Sequence, residues 1–349
     1  MISRRMFVGS LAAFCSFSGI STRLFASKAK DNDRALNWRC DTIRTMQHNN
    51  RQRASIVTGV SIQPSGSQIA VVGDDHYVCI FDSAAGRFSN HLGTHTDWVR
   101  SAKFSPDGRI LATAGNDRKL MIWDPENYSV EPTKHPHRFA VIDLAFSSNS
   151  QKIATVGFGQ ELKIFNIGTA TAERSFQCQC ADNHAVAFSS DDRLIAAGGR
   201  SGVIRVWDVQ AGSMISQLKP HRQRIRSLQF TSAGEIVSCS DDQIVRISNP
   251  QNQQMRALPR HASKLFSVAM LGDDLLATSG SDNRIHIWQL SSSKKLGTLN
   301  GHTGTVSCLD VSGNKIASGA YDTEVRVWHF DPNFNPAFRE TRKPAGQLR

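Results

Sequence analysis

The sequence has no unbroken apolar run long enough to cross a membrane as a helix; the longest candidate, Met6 to Thr22, is interrupted by glycines and serines. It also has no CxxC pair, which removes both covalent haem attachment and the paired-cysteine zinc pattern. The seven cysteines are scattered, and the one close pair, Cys178-Gln179-Cys180, has no second pair to complete a tetrahedral metal site. Small buried strand residues are the simpler account of them. No phosphate loop, dinucleotide fingerprint or calcium-loop spacing occurs. No cofactor and no metal are therefore expected.

The central part of the chain lacks charge of one sign. The formal net charge is +11, but residues 1–26 contribute +3, residues 27–53 contribute +4 and residues 331–349 contribute +2, leaving only +2 on residues 54–330. A nucleic-acid binder gathers its Lys and Arg into a stripe on the folded surface. Nucleic acid is accordingly not an expected partner.

The chain opens Met1-Ile2-Ser3-Arg4-Arg5-Met6-Phe7-Val8 and runs without charge to Thr22, with small residues around Ala26 and Ala29. A basic start, a weakly apolar middle and a small-residue end make the layout of a signal peptide. The paired arginines followed by Phe7 and Val8 resemble the bacterial twin-arginine export motif. Cleavage after Ala26 or Ala29 and a periplasmic destination are expected, with no stable membrane insertion once the leader is gone. The rival is a mitochondrial presequence, since three arginines and many serines precede the first acid, Asp31. Bulky Phe14 argues against lipid attachment at Cys15.

What the chain has in abundance is repetition. Seven copies end at Phe81, Trp123, Phe165, Trp207, Ser248, Trp288 and Trp328, spaced 42, 42, 42, 41, 40 and 40 residues apart. That period belongs to four-stranded propeller blades. Each copy ends in a strand alternating β-branched or leucine residues (Val78 and Ile80, Leu120 and Ile122, Val325 and Val327) with a different set, namely Cys79, Met121, Lys163, Arg205, Arg246, His286 and Arg326. Strand side chains alternate faces, so the first set is expected between blades and the second largely facing away. Turns such as Ser105-Pro106-Asp107-Gly108 precede a middle strand, and an inner strand ends at Phe104, Phe146, Phe188 or Phe230.

Trp123-Asp124, Trp207-Asp208 and Gly301-His302 make residues 42–330 resemble the WD-repeat family. The resemblance implies an all-β fold: a seven-bladed β-propeller of four-stranded antiparallel blades. It also implies closure by an N-terminal strand, Thr42 to Met46, donated to the last blade beside residues 323–329. The expected domains are a signal peptide (1–29), a linker (30–40), the propeller (41–330) and a flexible basic tail (331–349). In the family a His, a strand Ser or Thr, a turn Asp and the Trp form a buried hydrogen-bond chain. The full set stands as His95, Thr113, Asp117 and Trp123, as His261, Thr278, Asp282 and Trp288, and as His302, Ser318, Asp322 and Trp328. The third copy keeps His137 and Thr155, the fifth keeps His221, Ser238 and Asp242, the fourth keeps only Trp207 and the first only Asp75. The first and fourth blades are expected to rely on apolar packing and to be the least rigid.

These His, Ser or Thr, and Asp sets imitate a nucleophilic triad, but they recur at one spacing in blade after blade, whereas an active site would occur once. No catalytic residue is assigned. His135-Pro136-His137 imitates a metal pair, yet His137 already belongs to the repeat. The resemblance also implies that partner proteins dock where the inner strands begin and where the turns before the last strand lie. Two residues per blade occupy that face by register: Ile56, Trp98, Ala140, Asp182, Arg224, Lys264 and Thr305, then Asp74, Asn116, Phe158, Arg200, Asp241, Ser281 and Tyr321. The candidate partner-binding residues are Trp98, Phe158, Arg200, Arg224, Lys264 and Tyr321, of the types that dominate interface energies. The expected function is a non-catalytic protein-interaction scaffold, acting as a monomer or within a larger complex. The alternative is a propeller enzyme or small-molecule binder using the central channel, which would need acids or histidines clustered on the innermost strands near one rim; the register does not supply them.

Overall fold

Short runs of β-branched and small apolar residues, each cut off by a turn, leave every repeat with strands of three to seven residues, and the computed structural model forms them for residues 38–44 and 55–330, except 85, 94, 170 and 180. The leader (1–29), Thr45 and Met46 of the closing segment, Cys180, and the tail (331–349) lie outside the described residues. Among the described residues there are twenty-eight strands, β1 to β28 in chain order, arranged as seven four-stranded antiparallel sheets. Blade 1 is built from β2 (Val57–Ile62), β3 (Gln68–Gly73), β4 (Val78–Asp82) and β5 (Arg87–Leu92), and the next five repeat that order. The inner strands end at Phe104, Phe146, Phe188 and Phe230, as the sequence suggests. In the turn after the first of these, Ser105 Oγ accepts the Ile110 amide at 3.0 Å and Gly108 takes φ +74°.

Blade 7 is completed from the other end of the chain. Strands β26 (Val306–Ser312), β27 (Lys315–Ala320) and β28 (Glu324–Phe330) supply three members, and β1 (Trp38–Arg44) pairs antiparallel with β28 as the fourth. Ile43 sits opposite Val325 and is buried with Val327 and Phe81. The strand begins at Trp38, inside the segment expected to be linker, because Trp38 pairs with Phe330 and its ring packs 5.2 Å from the Phe330 ring. An outer edge that would otherwise offer unpaired amides is thereby covered.

The alternation within the terminal strands needs correction. Cys79, Met121, Arg205 and His286 do not face away; all four are buried. Each blade lies between two others, so both of its faces are inward. Val78 and Ile80 pack toward blade 2 with Val99 and Met121, while Cys79 and Phe81 pack toward blade 7 with Val325 and Val327. Burial of two faces gives each blade two apolar interfaces in place of one.

Every inner strand carries a β-bulge at its second residue: Thr58, Arg100, Ile142, His184, Arg226, Phe266 and Ser307. A bulge re-aims the extra side chain, and here all seven line the central channel. Lower in the channel the inner strands' free edges are capped by neighbouring blades. Phe104 N–H donates to Ser61 Oγ (3.0 Å), Val186 N–H to Asp143 (3.1 Å), Met270 N–H to Gln229 (3.0 Å) and Ile62 N–H to Asp310 (2.7 Å). Edge amides thus find acceptors that also tie blade to blade.

Candidate interaction face at the channel mouth

The expected face is built by one hydrogen bond repeated in every blade. The amide of each second-set residue donates to the carbonyl of the first-set residue: Asp74 to Ile56, Asn116 to Trp98, Phe158 to Ala140, Arg200 to Asp182, Asp241 to Arg224, Ser281 to Lys264 and Tyr321 to Thr305, at 2.8–3.3 Å. The two sets therefore share one end of the propeller. Close approach here needs glycine in several blades: a Cβ on Gly115 would stand 2.2 Å from the Trp98 carbonyl oxygen, and one on Gly157 1.9 Å from that of Ala140.

Trp98, Phe158 and Tyr321 are 39, 45 and 48% exposed, high values for large aromatic residues. Arg200 and Lys264 are exposed and Arg224 is partly exposed. Arg224 Nη2 lies 2.9 Å from Asp182, whose other oxygen stands 2.5 Å from His184 Nε2. Burial lowers the His184 imidazole to about 4, against the raising effect of Asp182. The bulged residues extend the face inward. Arg100 lies over the Trp98 ring at 4.7 Å, and Arg226 pairs with Asp241 at 2.8 and 3.0 Å while lying 5.0 Å from Phe266. Phe158 contacts His184 across blades 3 and 4, and Phe266 contacts Tyr321 across blades 6 and 7. The sequence reading missed Arg100, His184, Arg226 and Phe266, because a bulge breaks the two-residue register on which it relied. On the innermost strands it expected no cluster of acids or histidines; His184, on such a strand, stands beside Asp182, which the register had already placed on this face.

The channel encloses about 830 Å³ and holds charge deeper in. Lys103 Nζ lies 3.7 Å from Asp310, and Asp143 accepts from Ser101 at 3.3 Å. Burial pushes the Asp143 carboxyl up to about 6 although Lys103 opposes it. The same burial would lower the Lys103 ammonium, but Asp310 and Asp143 hold it raised.

The His, Ser or Thr, Asp and Trp sets sit inside the blades. His95 donates through Nδ1 to Asp117 (2.9 Å), and its Nε2 accepts from Thr113 (2.8 Å), whose oxygen accepts the Trp123 indole N–H (2.9 Å). His302, Asp322, Ser318 and Trp328 repeat this at 2.8–2.9 Å. Burial alone would raise Asp322, but the hydrogen bond from His302, its electrostatic attraction and two amide donors hold it at about 2. In blade 6 the chain is broken: Asp282 pairs with His286, and only Trp288 reaches Thr278, at 3.2 Å. His286 occupies the position of Met121 in blade 2 and outcompetes His261 for the carboxylate. Blade 3 keeps the His137 to Thr155 bond at 2.9 Å, and His137 Nδ1 lies 3.1 Å from the His135 carbonyl oxygen. Thr113, Ser238, Thr278 and Ser318 are fully buried, out of reach of any substrate. Among the described residues no three His, Cys, Asp or Glu side chains converge as a metal site.

Seven such blades, closed by β1 and with the complete set in blades 2 and 7, make the chain a WD-repeat β-propeller; the family model described as "WD domain, G-beta repeat" matches residues 293–329. The model described as "Nucleolar protein 10-like, N-terminal domain" matches residues 47–288, and the chain belongs to that family of propellers. Curated relatives include the Caenorhabditis elegans "Periodic tryptophan protein 2 homolog", 26% identical over 146 residues, covering 40% of this chain and 16% of that protein. Dictyostelium discoideum "Protein tipD" is 30% identical over 152 residues, 42% of this chain and 24% of its own. Human "WD repeat and SOCS box-containing protein 1" is 27% identical over 127 residues, 35% of this chain and 30% of its own. The chain thus spans less than a third of the length of each.

Proposed function

We propose that this chain is a non-catalytic platform that holds partner proteins on the face carrying Trp98, Phe158, Arg200, Arg224, Lys264 and Tyr321. The observation that carries the reading is the seven-fold amide-to-carbonyl pairing, which sets aromatic and basic side chains around one channel mouth on a rigid frame. Aromatic side chains lose little entropy on binding, and aromatic and arginine residues dominate interface energies. Burial of the triad-like hydroxyls argues against hydrolase chemistry. The Lys103, Asp143 and Asp310 charges favour a second reading, a small-molecule binder in the channel, but these groups are engaged by one another and by backbone amides. The reading includes export, for which the support is the Arg4-Arg5 leader.

Affinity capture from native extract with the mature chain tests the platform. Trp98→Ala is expected to lose its partners, while Glu126→Ala, an exposed residue in the loop after the last strand of its repeat, keeps them. Equal capture by both variants would remove the assignment of this face. For the leader, Arg4→Lys with Arg5→Lys is expected to hold the precursor in the cytoplasm; normal export of that double variant contradicts the twin-arginine reading.

A further inference from the structure

The acids at the channel mouth are already committed, and that decides what the face can receive. Asp182 is paired with Arg224 and stands against His184, Asp241 is held by two nitrogens of Arg226, and Asp74 accepts from Ser55 and the Ile56 amide. Arg200, Arg222 and Lys264 are exposed, and among the described residues none of the three forms an ion pair. They follow one another around blades 4, 5 and 6, so the unpaired charge of this arc is entirely positive. Beside it, Phe158, Phe266 and Tyr321 border the channel opening, linked to the arc through His184 and Arg226.

We infer that the occupant of this face is an extended acidic segment of a partner protein, its carboxylates on Arg200, Arg222 and Lys264 and one apolar side chain in the channel mouth. The inference rests on the platform reading and names its partner chemistry. Each unpaired cation offers a carboxylate a charge-assisted hydrogen bond. The apolar side chain covers aromatic surface that water otherwise wets. A long polyanion fits less well, because residues 54–330 as a whole carry only +2 and the cations form a short arc, not a stripe.

The probe is a fluorescein-labelled peptide with one leucine between two pairs of glutamates, titrated into the full chain and followed by anisotropy. Saturable binding that weakens as salt rises is expected, with no binding of the counterpart in which lysines replace the glutamates. Arg200→Glu with Lys264→Glu should weaken the peptide at least tenfold at an unchanged melting temperature, since both side chains are exposed and unpaired. Replacing the leucine by serine should weaken it as well. An affinity unmoved by the double reversal overturns the inference. So does an oligonucleotide of equal charge that displaces the peptide at lower concentration. If the peptide fails to bind while capture still depends on Trp98, the acidic-segment inference falls and the platform stands. If capture is indifferent to Trp98 and to the double reversal alike, the platform itself falls.

Discussion

His286 holds the carboxylate that the repeat register assigns to His261: its Nε2 lies 2.7 Å from Asp282, and His261 is left buried with Nε2 lacking a hydrogen-bond partner. The His261 ring packs instead against His286 and Trp288, at 5.3 and 5.0 Å between centroids. Burial, reinforced by the nearby His286 and Lys295, lowers the His261 imidazole to about 4, while Asp282 acts against it.

The folded state therefore favours neutral His261. Its share of stability is present above about pH 6.5, the ordinary value for histidine, and is lost as pH falls toward 4. His261→Phe keeps a ring in the slot and removes the orphaned nitrogen, so stability at pH 7 should be unchanged or slightly higher. Urea denaturation of the variant should also show a shallower decline between pH 6.5 and 4. A loss above about 2 kcal/mol at pH 7 would mean that His261 makes a needed polar contact after all.

Asp322→Ala attacks an intact set. It strands the His302 Nδ1 and the Thr303 amide, which donate to that carboxylate at 2.9 and 2.8 Å, and should cost about 1–3 kcal/mol. Because the Asp322 carboxyl is held down at about 2, its contribution is present above about pH 4 and fades as pH falls through 2. Denaturation at pH 7 and at pH 2.5 checks both points: the gap between variant and parent should narrow at the lower pH.

Trp98 takes part through two groups that substitution can separate. Its ring is exposed, so Trp98→Ala should shift stability by no more than about 0.5 kcal/mol yet weaken partner capture by about 2 kcal/mol or more, roughly thirtyfold. Its carbonyl, by contrast, braces the face. Gly115→Ala would drive a methyl to within 2.2 Å of that oxygen and should cost more than 2 kcal/mol, read as a lower melting temperature with the Trp98 ring still present. A destabilisation of about 3–5 kcal/mol by Trp98→Ala would place its ring in the core and take it off the face.

Ile43→Asp tests the closure. It puts a charge among the apolar side chains of Val325, Val327 and Phe81 and should remove several kcal/mol from blade 7. A broadened melt and aggregation through the exposed edge of Glu324–Phe330 are expected. A melt as sharp as the parent's, at the same temperature, would contradict the role of Trp38–Arg44 as the closing strand.

Repeat count, strand ends and the two facing sets were legible because each depends on local alternation and a spacing of 40–42 residues. The partners of Cys79 and Met121 were not, since both faces of a blade become inward only when the ring forms. Nor were the bulged Arg100, His184, Arg226 and Phe266, whose direction follows from a register shift that alternation cannot display. Lys103, Asp143 and Asp310 come from blades 2, 3 and 7, and their meeting in the channel depends on ring geometry, not on spacing along the chain. In blade 6 the residue types were right, but the outcome was a competition between two histidines for one acid, which only distances decide.

The pairing of Trp38–Arg44 with Glu324–Phe330 also sets a timetable for synthesis. A ribosome makes the first of these strands roughly 280 residues before the second, on the order of tens of seconds earlier at ordinary elongation rates. Six blades can form from contiguous chain as they emerge, while the clasp strand waits with Ile43 uncovered. Any step that requires the closed ring comes after the last strand has left the ribosome.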